Sequence, residues 1–157
     1  MTLKKGDQAP NFSLADTDLK TRTLKDFLGK KTVIASIPGA FTSVCTKELC
    51  AFQATYAEYE KLGAQVVILA VDSPFVNKAY AEANKITFPI LSDYSRQTVS
   101  AYGGVHENFA GLTGYSAPKR SIFALDSNGI VQYAWVNDNP GEYPPLDELR
   151  EALAKYD

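Results

Sequence analysis

Thr32-Val-Ile-Ala-Ser-Ile37-Pro38-Gly-Ala-Phe-Thr42-Ser-Val-Cys45-Thr-Lys-Glu48-Leu-Cys50 carries both cysteines of the chain and the junction that decides its fold. Thr32 to Ile37 reads as a buried strand, and Pro38-Gly39 stops it. From Thr42 onward the pattern is helical, with Val44, Leu49, Phe52 and Tyr56 as inward positions. Cys45 is therefore expected in the first turn of a helix that follows the carboxyl end of a strand. Unpaired backbone N–H groups and the positive end of the helix dipole favour an anion there. A thiolate is such an anion, and the thiolate is the reactive form of cysteine.

Outward from this stretch, the remaining pattern alternates strands and helices. Asn11 to Leu14 and Arg22 to Leu24 read as a short N-terminal hairpin, and Leu24 to Leu28 as a short helix ended by Gly29. Thr42 to Leu62 reads as one long helix stopped by Gly63. Gln65 to Val71 is nearly all apolar, as a strand buried on both faces would be. Ser73-Pro74 has the form of an N-cap followed by proline at the first helical position, opening a helix to Asn84. Phe88 to Leu91 is a short strand, and Ser95 to Tyr102 is helical. Ser121 to Asp126 and Ile130 to Val136 form a hairpin across Ser127-Asn128-Gly129, and Leu146 to Lys155 is the last helix. Gly103 to Lys119 holds four glycines and no clean period, and a connection that long points to a functional loop. The order predicts an α/β fold: a mixed central sheet flanked by helices, a thioredoxin-like core with an N-terminal β extension, and one domain over residues 1–157.

Composition narrows the function. The chain has 157 residues and a formal net charge of −2, with its basic residues scattered rather than striped. Nucleic acid is thus not an expected partner. No run reaches the roughly 18 to 20 apolar residues a membrane span needs, and Met1 to Asp7 lacks the apolar core of a secretory signal. A cytoplasmic location is the expectation. Two cysteines and the single histidine, His106, make a poor zinc set. Three readings of the cysteine pair stay open on these grounds: buried hydrophobes, a structural disulfide, or redox chemistry.

Spacing adds one constraint. Five residues along a continuous helix means about 7.5 Å of rise and about 140° of rotation, so the Cys45 and Cys50 α-carbons stand roughly 8 to 9 Å apart. A disulfide needs them within ~7 Å. The pair bonds only if the helix unwinds locally, which disfavours a permanent bridge and suits a transient one. Thr42 is placed to cap the helix, its hydroxyl accepting from the N–H of residue 44 or 45, or to bond a substrate oxygen near the sulfur. Pro38 ends the strand or shields the sulfur from water.

Pro38-x-x-x-Thr42-x-x-Cys45 resembles the active-site motif of the peroxiredoxins, and Cys45-Thr-Lys-Glu-Leu-Cys50 is similar to the C-x4-C of their bacterioferritin-comigratory-protein subgroup. The likeness runs through Gly6-Asp-Gln-Ala-Pro10-Asn-Phe12, Val71-Asp72-Ser73, Phe88-Pro-Ile-Leu-Ser-Asp93 and Lys119-Arg120-Ser-Ile-Phe-Ala-Leu-Asp126, and so covers nearly the whole chain. The resemblance implies a thiol-dependent peroxidase acting on hydrogen peroxide and organic hydroperoxides. Cys45 would attack the peroxide and become a sulfenic acid. Arg120 would stabilise the thiolate and the developing charge on oxygen, its guanidinium offering several donors in a fixed fork. Thr42 would bond the peroxide and Pro38 would shield the site. Glu48 would orient Arg120, unless it is simply a surface carboxylate of the helix. Cys50 would resolve the sulfenic acid as an intramolecular disulfide, recycled by a thioredoxin-like or other thiol reductant. No metal, haem, flavin or nucleotide cofactor is implied, and a monomer and a homodimer both fit.

Gly39-Ala40-Phe41, Gly103 to Lys119 and Trp135 to Pro140 look more like one-cysteine and other atypical peroxiredoxins. They keep alive a one-cysteine mechanism with an external thiol. A thioredoxin-type oxidoreductase and a redox sensor are the further alternatives. His106 is read as a loop residue. Phe41, Phe75, Tyr80 and Tyr115 are read as core packing first, with lining of the approach or an oligomer contact as the alternative, and Asp72 as a cap for the next helix before any functional role.

Overall fold

The computed structural model describes residues 2–157; Met1, the first residue of the expected domain, lies outside them. Seven strands form one mixed sheet. In chain order they are β1 (Ser13–Ala15), β2 (Thr21–Thr23), β3 (Lys31–Ser36), β4 (Ala64–Ala70), β5 (Ile90–Ser92), β8 (Arg120–Leu125) and β9 (Val131–Asn137). Across the sheet the order is β2-β1-β5-β4-β3-β8-β9. The central β3, β4 and β5 are parallel, while β8 and β9 close one side antiparallel and the β1–β2 hairpin closes the other. A separate two-stranded ribbon pairs β6 (Val105–His106) with β7 (Ala117–Pro118). The helices are α1 (Ser43–Ala54), α2 (Tyr56–Lys61), α3 (Pro74–Ala83), α4 (Gln97–Tyr102) and α5 (Leu146–Leu153).

Strand side chains alternate between faces, and here both faces are apolar. Val33, Ala35 and Ile37 join Leu49 and Phe52 of α1 and Leu149 and Leu153 of α5 in one buried cluster. Ile34, Val67 and Leu69 join Phe12, Phe27, Val99 and Tyr102 in the other. This explains the near-continuous apolar reading of Gln65 to Val71 and confirms the thioredoxin-like α/β sandwich.

The expected single helix from Thr42 to Leu62 is two. Thr55 leaves helical geometry (φ −109°, ψ 16°) and its hydroxyl donates to the Ala51 carbonyl at 2.8 Å. A β-branched residue that bonds its own preceding turn competes with helix propagation. Ser73 caps α3 as expected, accepting from the Val76 N–H. Gly103 to Lys119 is more ordered than its sequence implied, because the β6–β7 ribbon ties its ends together. His106 accordingly sits in a short strand.

Candidate active site

Cys45 is the third residue of α1, directly after the carboxyl end of β3, and it is fully buried. Facing it from the sheet is Arg120, the first residue of β8. Arg120 shares the face of Ile122 and Ala124, the face against which α1 packs. One guanidinium nitrogen, Nη1, donates to Cys45 Sγ at 3.3 Å and to Glu48 Oε1 at 2.8 Å. The other, Nη2, donates to the Pro140 carbonyl at 3.0 Å. Arg120 is only 1% exposed and Glu48 0%. Glu48 is therefore no surface carboxylate. Three residues after Cys45, it lies on the same side of the helix and forms a buried ion pair with the arginine.

Burial pushes the Glu48 carboxyl up to about 7, against the pull of the Arg120 guanidinium. Burial works the other way on Arg120, but the charges of Cys45 and Glu48 outweigh it and hold the guanidinium above its ordinary value. The arginine is thus a permanent cation held against the sulfur by two acceptors.

Thr42 stands at the N-cap position of α1 in extended geometry, but its hydroxyl makes no cap bond. It donates instead to the Gly39 carbonyl at 2.7 Å. The reason lies one residue earlier, where Phe41 has a left-handed backbone (φ 62°). The chain folds back there and brings Gly39 under Thr42. Two contacts from outside the motif hold this turn. Asp72 Oδ2 accepts from the Ala40 N–H at 2.8 Å, so Asp72 clamps the loop before Cys45 rather than capping α3. Tyr80 donates its hydroxyl to Thr46 Oγ1 at 3.0 Å, and the Thr46 hydroxyl donates to the Thr42 carbonyl at 2.8 Å.

A cleft of ≈ 210 Å³ opens in front of this group, lined by Pro38, Thr42, Ser43, Val44, Phe109, Arg120, Pro140 and Gly141. Two larger surface grooves, of ≈ 440 and ≈ 510 Å³, are lined by neither cysteine. The smaller cleft is lined by Arg120, whose guanidinium bonds the sulfur, while Cys45 itself lies buried behind it and is not among the lining residues. Pro38 is buried and forms part of its wall.

Cys50 is placed differently. It is a free, exposed thiol with Asn84 Oδ1 at 3.9 Å, while Cys45 is free and buried. Both lie on the unbroken α1, so the sulfurs face different surroundings, as the five-residue spacing requires.

The sequence brought Cys45, Thr42, Arg120, Pro38 and Glu48 to one site. It missed Phe109 and Pro140, and it ranked a functional role for Tyr80 and Asp72 below core packing and helix capping. Asp72, at a strand end, carried a signal, since polar side chains at strand ends serve loops beside a site as readily as caps. Of the four aromatics expected in the core, Tyr80 is buried and Tyr115 half-buried, whereas Phe41 and Phe75 are 57% and 70% exposed. The left-handed turn throws Phe41 outward over the Tyr80 ring, with centroids 5.0 Å apart.

Residues 5–134 match the AhpC/TSA family. The chain is 34% identical over 151 residues to the chloroplastic peroxiredoxin Q of Triticum aestivum, covering 96% of this chain and 65% of that protein. It is 34% identical over 149 residues to the chloroplastic peroxiredoxin Q of Sedum lineare, covering 95% and 75%. The chain thus spans slightly less than two thirds of the wheat relative's length. Among solved structures it is similar to peroxidoxin BcpB of Mycobacterium tuberculosis, with a TM-score of 0.84, 26% identity and 96% coverage of both chains.

Proposed function

This chain belongs to the AhpC/TSA family, and from that premise we propose that it is a thiol-dependent peroxidase with Cys45 as its nucleophile. The observation that carries the reading is the 3.3 Å contact between Arg120 Nη1 and the buried Cys45 sulfur, beside a cleft that Arg120 and Thr42 both line. A fixed cation favours thiolate over thiol. The thiolate attacks the terminal oxygen of a hydroperoxide; the S–O bond forms as the O–O bond breaks. Sulfur is oxidised by two electrons to sulfenic acid, and the departing alkoxide or hydroxide takes up a proton to become alcohol or water.

Arg120 stabilises the charge that moves from sulfur to the leaving oxygen, and being already oriented it need not reorganise during the step. Glu48 and the Pro140 carbonyl hold it in place. Thr42 turns its hydroxyl from the Gly39 carbonyl to the peroxide, and Pro38 keeps bulk water from the sulfur. Cys50 then attacks the sulfenic sulfur, expelling water and forming a disulfide. The start of α1 must unwind for this, and a thioredoxin-like dithiol reduces the product. The exposure of Cys50 favours a second reading, in which Cys50 stays idle and an outside thiol reduces Cys45 directly.

The whole chain acts as one domain in this proposal, as a monomer or homodimer, with no nucleic-acid partner. No described helix is long and apolar enough to cross a membrane. The plant relatives above are chloroplastic, so the cytoplasmic location rests on the sequence reading alone.

Stopped-flow fluorescence of the reduced protein with hydrogen peroxide, reported by the single Trp135, tests the reading when followed by mass spectrometry. The expected product is a Cys45–Cys50 disulfide, lighter by two hydrogens. One added oxygen at Cys45 selects the one-cysteine mechanism. Full peroxidase activity in Cys45→Ser would sink the proposal.

A further inference from the structure

The first turn of α1, which carries Cys45, lacks the supports that usually hold a helix start. Thr42 makes no side-chain cap bond, and the turn carries no acidic residue. Its support comes from another helix instead. The Thr42 carbonyl accepts from the Thr46 N–H at 2.9 Å and from the Thr46 hydroxyl at 2.8 Å. That hydroxyl in turn accepts from Tyr80 Oη of α3 at 3.0 Å. A threonine hydroxyl has one proton to give and lone pairs to accept with. Thr46 gives its proton to Thr42 and takes that of Tyr80, which aims the hydroxyl at the helix start.

Tyr80 is fully buried. Burial pushes its phenol up to about 12, so the hydroxyl keeps its proton and remains a donor. Asn84, at the end of α3, carries the grip further. Its Nδ2 donates to the Tyr80 carbonyl at 3.0 Å, and its Oδ1 stands 3.9 Å from Cys50 Sγ. One turn of α3 therefore touches both ends of the stretch from Thr46 to Cys50 that separates the two sulfurs. The two halves of the reaction ask opposite things of that stretch. Attack on the peroxide needs the first turn wound, where Cys45 meets Arg120 at 3.3 Å. The disulfide needs it unwound, because wound geometry keeps the cysteines too far apart.

We propose that Tyr80 is a positioning residue whose hydroxyl, acting through Thr46, holds the first turn of α1 wound and so sets how fast Cys50 reaches the oxidised Cys45. The inference rests on the reading in which Cys50 resolves the sulfenic acid. In that step Cys50 Sγ bonds to Cys45 Sγ as the S–OH bond breaks, and the departing hydroxide leaves as water with the proton of the Cys50 thiol. Only molecules with an unwound turn complete it, so its rate follows their population. A wound sulfenic acid meanwhile stays open to a second hydroperoxide. That peroxide transfers one oxygen to the sulfur, giving sulfinic acid, and leaves as alcohol or water. Removing the Tyr80 hydroxyl enlarges the unwound population and turns the partition from sulfinic acid toward disulfide.

The experiment mixes reduced protein with hydrogen peroxide, quenches it over time and follows Cys45 sulfenic acid, Cys45 sulfinic acid and the Cys45–Cys50 disulfide by mass spectrometry. Tyr80→Phe keeps the ring against Phe41 and deletes the hydroxyl. It should speed disulfide formation by about fivefold, the scale of one net hydrogen bond, without speeding the reaction with peroxide. Sulfinic acid formed per turnover should fall by a similar factor. Thr46→Val should also speed the disulfide step, and adding Tyr80→Phe to it should bring no further gain, since the two act through one chain. Thr46→Ser, which keeps the hydroxyl, should retain the wild-type rate. A Tyr80→Phe variant whose disulfide step is unchanged, or slowed together with the peroxide step, overturns the assignment and leaves the resolving role of Cys50 intact. A wild type that reacts with peroxide but forms no disulfide overturns that role and this inference with it, and a wild type inert to peroxide overturns the peroxidase reading as well.

Discussion

Cys45 and Glu48 share one nitrogen of Arg120: Nη1 stands 3.3 Å from the sulfur and 2.8 Å from the carboxylate. The sulfur and the carboxyl group therefore compete for, and jointly fix, a single cation. All three groups are buried, so water screens this arrangement little, and altering any one of them changes the field at the other two.

Arg120→Ala should slow the reaction with peroxide on the order of 100-fold or more, the scale of losing one preorganised charge donor. It also strands Glu48 without its ion-pair partner, which costs roughly 3 to 5 kcal/mol where a buried pair is broken. Arg120→Lys keeps the charge but has no planar fork to reach Cys45, Glu48 and the Pro140 carbonyl together, so its rate should lie between the two. Rate constants for the three proteins, with circular dichroism as a check on folding, decide this. A wild-type rate in the alanine variant would remove Arg120 from the site.

Glu48 makes stability depend on pH. Its carboxyl is raised from an ordinary 4.5 to about 7 in the folded chain. Between these values the folded protein keeps a proton that the unfolded chain releases. Stability from this group is therefore full below pH 4.5 and falls as pH rises to about 7, by roughly 3 kcal/mol. Glu48→Gln should lack this decline. Urea titrations at several pH values should diverge between wild type and variant across that window, and parallel profiles would refute the assignment.

Cys50→Ser should react with the first equivalent of peroxide as fast as wild type, because Cys50 lies outside the cleft and Cys45 keeps its arginine. The variant should then accumulate one oxygen on Cys45, and excess peroxide should carry it further up the oxidation ladder. Intact-mass measurements after one and after ten equivalents test this. Loss of the first turnover would mean that Cys50 does more than resolve.

Asp72→Ala should loosen the turn that presents Thr42 and Cys45. The Ala40 N–H loses its carboxylate acceptor, a bond worth about 1.5 to 3 kcal/mol, which leaves the Tyr80–Thr46–Thr42 chain and the Thr42–Gly39 bond to hold left-handed Phe41. A slower peroxide reaction is expected with a lower urea midpoint. Asp72→Asn keeps a side-chain oxygen for the same N–H and should recover most of the rate. If both variants match wild type, the clamp has no part in positioning the site.

Strand-to-helix periodicity determined much of this protein by itself. Thr32 to Ile37, the Pro38-Gly39 stop and the helical pattern after Thr42 were enough to place Cys45 in the first turn of α1, because those signals are local. The alternation of further strands and helices led to the thioredoxin-like sheet for the same reason. The Pro38, Thr42 and Cys45 spacing, with Arg120 on a later strand, was legible through its resemblance to a known motif. Tertiary structure alone decided that Glu48 is buried rather than solvated, since helix position gives a direction but not what packs against it. It alone decided that Thr42 bonds Gly39, a consequence of the left-handed turn at Phe41. It broke the long helix at Thr55, where a side-chain bond to the preceding turn competes with helical geometry. It brought Phe109, Pro140 and Asp72 to the site from distant segments. Those residues meet Cys45's surroundings through strand pairing and loop packing, and such long-range contacts leave no periodic trace along the chain.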